Sequence, residues 1–152
     1  ARLGGAWRGA VTYLDTGCFV KLYYPETDSA KVIALIQGKA ICYTPLHELE
    51  FVNALELKVF LKNAVAPQVT AARALVGADL KAGVLVSAGA DWKDIFQEAA
   101  RLAEQHTGLL GCRSLDVLHC AAARILGVSE FISTDARQKK LATAMGLNLV
   151  TF

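Results

Sequence analysis

The stretch RSLDVLHCAAARILGVSEFISTDARQKKLATAMG, residues 113–146, decides how the rest of the chain is read. Ser114 is a helix-capping residue, and the apolar segment after it reads as a helix stopped by Gly127. Glu130, Phe131, Ile132 and Ser133 then read as a short buried strand, and 135–145 as a second helix closed by Gly146. A near-continuous apolar strand between two helices belongs to a sheet covered on both faces. Two acids stand at its joints: Asp116 at the second helical position behind Ser114, and Asp135 just past the strand. Acids bordering apolar segments are expensive to bury, so partners for them are expected elsewhere in the chain.

Working outward, the pattern repeats. Residues 10–14 (AVTYL) form a first buried strand that ends on Asp15. Residues 18–24 suit a short helix that Pro25 stops, and Asp28 or Ser29 caps a second that Gly38 breaks. Residues 40–44 are another strand, Pro45 opens a long helix to about 63, and Pro67 repeats that start signal for a helix ending near Gly83. Residues 84–86 suit either a short strand or a packed loop. Asp91 caps a further helix that Gly108 ends, and 147–152 is a last strand. Short apolar strands alternating with helices predict a single α/β domain over 10–152, a three-layer α/β/α arrangement around a central parallel sheet. Residues 1–9 are read as an N-terminal extension or an added remnant. In such sheets ligands bind beyond the carboxyl ends of the strands, where Asp15 and Asp135 both fall.

Composition sets the outer limits. With 54% hydrophobic and 20% charged residues, the 152-residue chain is globular rather than disordered. It has no run approaching the roughly 18 apolar residues of a membrane span, and residues 1–10 lack a signal-peptide core. It is therefore read as cytosolic, with no membrane partner. The net charge of +2 neither demands nor excludes nucleic acid. Cys18, Cys42, Cys112 and Cys120 have no zinc-ligand spacing and sit mostly in apolar segments, as buried free thiols do. P-loop, nucleophile-elbow and HExxH patterns are absent.

Taken singly, each acid has a plain structural use. Asp15 and Asp135 can cap helices, and a carboxylate at Asp116 gains roughly 0.3–1 kcal/mol from the helix dipole. In the helix after Pro45, Glu50 lies within a stripe of Leu46, Leu49, Asn53, Leu57 and Phe60, whereas Glu48 lies on the opposite side. Periodicity favours Glu50, with a salt bridge to a nearby base as the alternative use. Taken together they ask for more. Each like-charge pair at about 4 Å costs roughly 4 kcal/mol at an effective dielectric near 20. Such a cluster persists when divalent cations neutralise it or when a member holds a proton. All-oxygen ligation points to Mg²⁺ or Mn²⁺ rather than zinc, and the chemistry that suits it is phosphodiester hydrolysis.

Four segments, YLDTGCFVKLYYPE, TPLHELEFVNALELK, RSLDVLHCAAA and FISTDARQKKLA, in this order and spacing, resemble the PIN-domain ribonucleases, in particular the VapC-type toxins of prokaryotic toxin–antitoxin pairs. The resemblance covers about residues 11 to 152. It implies a PIN fold and a metal-dependent endoribonuclease acting on structured RNA such as tRNA or ribosomal RNA, and so inhibiting translation. It also implies a homodimer held inactive by a cognate DNA-binding antitoxin. Carried over by position, the acids are Asp15, Glu50, Asp116 and Asp135, with Ser133 and Thr16 supporting them. Where many relatives read Asp-Thr-Ser, this chain has Asp15-Thr16-Gly17, which removes a supporting hydroxyl but no carboxylate.

Arg113, Arg137 and Lys139, with Lys140, border the expected site as phosphate-binding candidates or as a solvated helix face. His119, three residues after Asp116, is read as a core histidine, since this metal chemistry needs no histidine base. His47 and His106 are read as structural or exposed. Trp7, Trp92 and the Tyr23–Tyr24 pair are read as packing or partner contacts. The broad apolar sweep of the helix after Pro45 suggests a second covered side, a dimer or antitoxin surface. Rival readings are a phosphoacceptor receiver-like domain, which wants paired acids after its first strand, a housekeeping PIN nuclease of RNA processing, and a catalytically silent PIN binding module.

Overall fold

In the computed structural model, residues 2–3, 6–7 and 10–152 are described. Two short strands, β1 (Arg2–Leu3) and β2 (Ala6–Trp7), pair antiparallel as a separate hairpin; the rest of the expected 1–9 extension lies outside the described residues. The domain then runs β3 (Val11–Leu14), α1 (Thr16–Tyr23), α2 (Ser29–Leu35), β4 (Ala40–Tyr43), α3 (Pro45–Phe60), α4 (Ala66–Ala82) and β5 (Leu85–Ser87). It continues through α5 (Trp92–Leu110), α6 (Ser114–Leu126), β6 (Glu130–Ile132), α7 (Ala136–Ala144) and β7 (Leu149–Val150). The strands order β5-β4-β3-β6-β7, and every neighbouring pair is parallel. This is the α/β/α architecture with a central parallel sheet that the alternating pattern predicts.

Strand alternation builds the two cores. Val11, Tyr13, Cys42 and Phe131 face a cluster that includes Ile95 and Leu102 of α5, Leu118 and Ala122 of α6 and Leu141 of α7. Leu14, Ile41, Leu85 and Ile132 face the other side, against Phe19 and Val20 of α1, Phe51 and Leu55 of α3 and Val69 of α4. Both faces are covered, which is why these strands lack polar residues at every second position. Fully burying a side chain such as Phe131 contributes roughly 1.5–3 kcal/mol.

Beta3 is the hub of this topology. The chain moves to one side of it through β4 and β5, then returns to its other side with β6 and β7. The gap between the carboxyl ends of β3 and β6 is therefore a topological switch point, the place where such sheets open a crevice. Leu14 pairs with Ile132 there, and the Asp15 amide donates to the Ile132 carbonyl at 3.0 Å.

Several boundaries differ from the sequence expectation. The ambiguous 84–86 segment resolves as a strand shifted by one residue, Leu85–Ser87, because these residues pair with β4 from Ile41 to Tyr43. Alpha5 runs through Gly108 to Leu110 and stops at Gly111, the residue that takes the left-handed conformation (φ 65°). Arg113, not Ser114, is the capping residue of α6, which places Asp116 at the third helical position, where its side chain accepts from the Arg113 amide at 3.4 Å. Beta7 is two residues long. All four cysteines are free thiols, Cys112 partly exposed and the others buried.

Candidate active site

Asp15 leaves β3 at the switch point and starts α1 as its cap. One oxygen, Oδ1, accepts from the Cys18 amide at 2.8 Å; the other, Oδ2, accepts from the Ser133 hydroxyl at 2.5 Å. Only 6% of Asp15 is exposed, so both bonds act in a medium that strengthens them. Ser133 is fully buried, and its Oγ in turn accepts the Asp135 amide at 3.0 Å. Asp135 caps α7 by accepting from the Gln138 amide at 2.9 Å. Across its outer side lies Arg113, whose guanidinium stands 3.6 Å from Asp135 Oδ2 and 3.6 Å from Asp116 Oδ2.

Glu50 enters from α3 on the far side of Asp15. Its Oε1 accepts from the Thr16 hydroxyl at 2.8 Å and from Nε2 of His119. An unbroken series of contacts therefore joins all four acids: Glu50 to Thr16, Thr16 to its chain neighbour Asp15, then Ser133, Asp135, Arg113 and Asp116. These groups come from α1, α3, α6, α7 and the loops after β3 and β6, and meet at one edge of the sheet. Burial pushes the Glu50 carboxyl up, but the hydrogen bonds it accepts from His119 and Thr16 outweigh it and hold it below its usual value.

The apolar stripe used to choose Glu50 is corrected by the structure. The buried face of α3 is Leu46, His47, Phe51 and Leu55, whereas Leu49 (68% exposed), Leu57 and Phe60 look outward. Glu50 sits at the border of the buried face, and what turns it inward is polar: Thr16 and His119. Glu48 is exposed. His47 is wholly buried and structural. It caps α3 through Thr44, accepting the Thr44 amide at 3.2 Å on Nδ1, and its Nε2 bonds the Leu14 carbonyl at 2.7 Å. Tyr23 packs in the core and bonds Asp79, and Tyr24 bonds the Asn63 carbonyl.

Two contacts escaped the sequence. His119 bonds Glu50, a residue 69 positions away, and Tyr13 holds the other nitrogen of the same ring at 2.7 Å. Arg113 bridges two of the acids rather than merely bordering them. The only available signals were the i+3 spacing of His119 from Asp116 and of Arg113 before it. Arg137 is exposed and Lys139 half-buried, both on α7 beside Asp135. At Gly17 an added Cβ would meet Asp15 Oδ1 at 3.6 Å and Thr134 Oγ1 at 3.9 Å, ordinary contacts, so space does not forbid the serine of the resembling pattern.

The donor set suits a hard divalent cation: four carboxylates, with serine and threonine hydroxyls behind them. Among the described residues, Glu50 Oε2 and Asp116 Oδ1 receive no protein hydrogen bond and are free to take a ligand. As the side chains stand, no three His, Cys, Asp or Glu residues of the described chain are gathered to hold a metal. Closing the acids around a cation requires side chains to shift, Arg113 among them, because its guanidinium contacts two of the four.

Comparison with known proteins bears on the fold that carries these residues. No curated protein sequence matches the chain. Similar solved structures include the Mycobacterium tuberculosis VapC20, a sarcin–ricin loop cleaving toxin, at 15% identity and TM-score 0.64, covering 90% of this chain and 95% of that one. FitAcB from Neisseria gonorrhoeae follows at 13% identity and TM-score 0.59, with 92% and 96% covered. VapBC2 from Rickettsia felis, bound to a DNA fragment from its promoter, is similar at 14% identity and TM-score 0.56, with 92% and 97% covered. At these identities the likeness is one of fold. A family model described as the PIN domain matches residues 12–144, from inside β3 to the end of α7, and the chain therefore belongs to the PIN domain family.

Proposed function

We propose that the protein is a metal-dependent endoribonuclease, the toxin of a toxin–antitoxin pair, hydrolysing phosphodiester bonds in structured RNA such as tRNA or ribosomal RNA and thereby inhibiting translation. The observation that carries this reading is the continuous contact series through Asp15, Glu50, Asp116 and Asp135 at the switch point of the sheet. Four acids from separate elements are costly to bring to one place, and capping accounts for only part of their arrangement.

In this reading the four carboxylates hold Mg²⁺ or Mn²⁺. A cation held by them would supply activation of a water and neutralisation of charge on the phosphate and the leaving oxygen. The protein's own part is positional. Ser133 and the Cys18 amide fix Asp15; Ser133 and the Gln138 amide fix Asp135; Thr16 and His119 fix Glu50. Arg113, Arg137 and Lys139 supply positive charge at the rim, suited to the phosphates on either side of the scissile bond.

The partner in this reading is a VapB-type antitoxin, in the cytoplasm. No helix of the described residues is long and apolar enough to cross a membrane. The outward apolar residues of α3, Leu49, Leu57 and Phe60, and an apolar groove between α5 and α6 lined by Phe96, Ala103 and Leu115 offer surfaces for a protein partner or a second copy.

The test is cleavage of RNA by the purified protein with Mg²⁺ or Mn²⁺ added. Asp15→Asn and Asp116→Asn are expected to abolish it. Asn caps a helix about as well as Asp, so the Asp15 variant keeps its fold. Full cleavage by either variant would remove the metal-site assignment. Sequencing RNA ends after brief induction in cells names the substrate.

A further inference from the structure

We propose that His119 is the positioning residue for Glu50: anchored by Tyr13 from below, it fixes the carboxylate so that one oxygen is left to the metal. This inference rests on the metal-dependent reading above.

Nothing on α3 holds Glu50 in place. Among the described residues no lysine or arginine pairs with it, and both of its hydrogen bonds come from other elements. Thr16 of α1 and His119 of α6 both bind Oε1, so the carboxylate is held on one side and Oε2 is left open. His119 itself is 2% exposed and has little freedom. Its Nδ1 lies 2.7 Å from the Tyr13 hydroxyl, and its ring meets the Tyr13 ring edge-on with centroids 5.6 Å apart. Tyr13 is stacked against Phe131 in the centre of the sheet, and both are fully buried, so the anchor is packed on every side.

The directions of these bonds are determined. Glu50, an ionised carboxylate, only accepts, so Nε2 of His119 must donate. Burial keeps the Tyr13 phenol protonated, well above its usual range, and among the described residues the hydroxyl has no acceptor other than Nδ1 of His119. Tyr13 therefore donates to Nδ1 and selects the Nε2–H tautomer, which in turn donates to Glu50. Thr16 Oγ1 donates to Glu50 and lies 3.0 Å from Nε2, placed to accept a share of the same proton. Every proton in the set has one place, and the set spans β3, α1, α3 and α6. A histidine tautomer fixed by a partner behind it is the arrangement by which groups behind a metal ligand tune affinity.

The experiment is Mn²⁺ binding by the full chain without RNA, read by electron paramagnetic resonance of the free ion. His119→Phe keeps a ring but removes both nitrogens, and is expected to weaken binding about 10–100-fold. His119→Gln, which returns a donor toward Glu50, is expected to recover most of that loss. Combining His119→Phe with Glu50→Gln should add little to the loss from Glu50→Gln alone, since the histidine acts through that carboxylate. Wild-type affinity in a folded His119→Phe variant, or independent losses that multiply in the double variant, would overturn the proposal. Should His119→Phe not fold, Tyr13→Phe decides: it deletes one hydroxyl, and unchanged Mn²⁺ affinity would overturn the relay. A wild-type protein that binds no Mn²⁺ overturns the metal-dependent reading itself, an outcome distinct from equal binding by wild type and variant.

Discussion

Asp15 receives the Cys18 amide on one oxygen and the Ser133 hydroxyl on the other, so the bond that caps α1 and the bond that reaches across to the loop after β6 together fix the carboxylate at the switch point. Asp135 is held in the same way by the Gln138 amide at the start of α7. Capping and site assembly are one arrangement at these residues, which is why helix signals alone could not separate them. On α3 the separation is sharper. Glu50→Gln is expected to lower RNA cleavage by roughly 100-fold or more, at or beyond the upper range for groups that support a metal ligand. Glu48→Gln should leave cleavage unchanged, because Glu48 is exposed; the reverse result moves the site by two residues. His47 carries a pH prediction of its own. Burial pushes this imidazole down to about 3. The unfolded chain takes up that proton near 6.5, whereas the folded chain does not until far lower. Stability is thus complete above about pH 6.5 and falls toward pH 3 by roughly 1.4 kcal/mol per pH unit for this one proton. Urea unfolding from pH 7 to 4 should show that slope, reduced in His47→Gln.

Helix starts carry most of the candidate site. Alpha1 and α7 begin on Asp15 and Asp135, and Asp116 lies in the first turn of α6. Arg113 ties two of these starts together, reaching Asp116 and Asp135 from the residue before α6. Its side chain is 67% exposed, so the bridge adds little to stability. Its consequence is electrostatic: a fixed cation beside two of the acids competes with a metal. Arg113→Ala is expected to tighten Mn²⁺ binding a few-fold in calorimetry, the scale of an exposed ion pair. Weaker binding would show that the arginine organises the acids rather than opposing a cation. Alpha3 is the element whose reading changed most. Its residues alternate apolar and polar so broadly that periodicity allowed two buried faces. Packing against Phe19 and the sheet chose His47, Phe51 and Leu55.

For the molecule as a whole, that choice leaves Leu49, Leu57, Phe60 and Leu61 exposed along α3 and its end, with Leu75 exposed on α4. A homodimer is expected in solution. Light scattering should return twice the chain mass of 16.3 kDa, and a strict monomer would end that expectation. Strand–helix alternation, the strand-end position of Asp15 and the cap at Asp91 were legible in the chain alone, because each depends on residues within a few positions of one another. Ser133, Thr134 and Asp135 were equal candidates for the last cap until the structure chose Asp135. Also legible were the four-segment order that resembles the PIN family and the free state of the cysteines. Tertiary structure alone decided that the chain after Gly83 holds a strand, Leu85–Ser87, since only pairing with β4 makes it one. It alone decided which face of α3 is buried, and that His119 with Tyr13 holds Glu50 while Arg113 spans Asp116 and Asp135. The physical reason is the range of the interactions. Caps, turns and periodicity act over one or two helical turns, whereas a hydrogen bond between residues 50 and 119 exists only once sheet order and helix packing have brought α3 and α6 to the same edge.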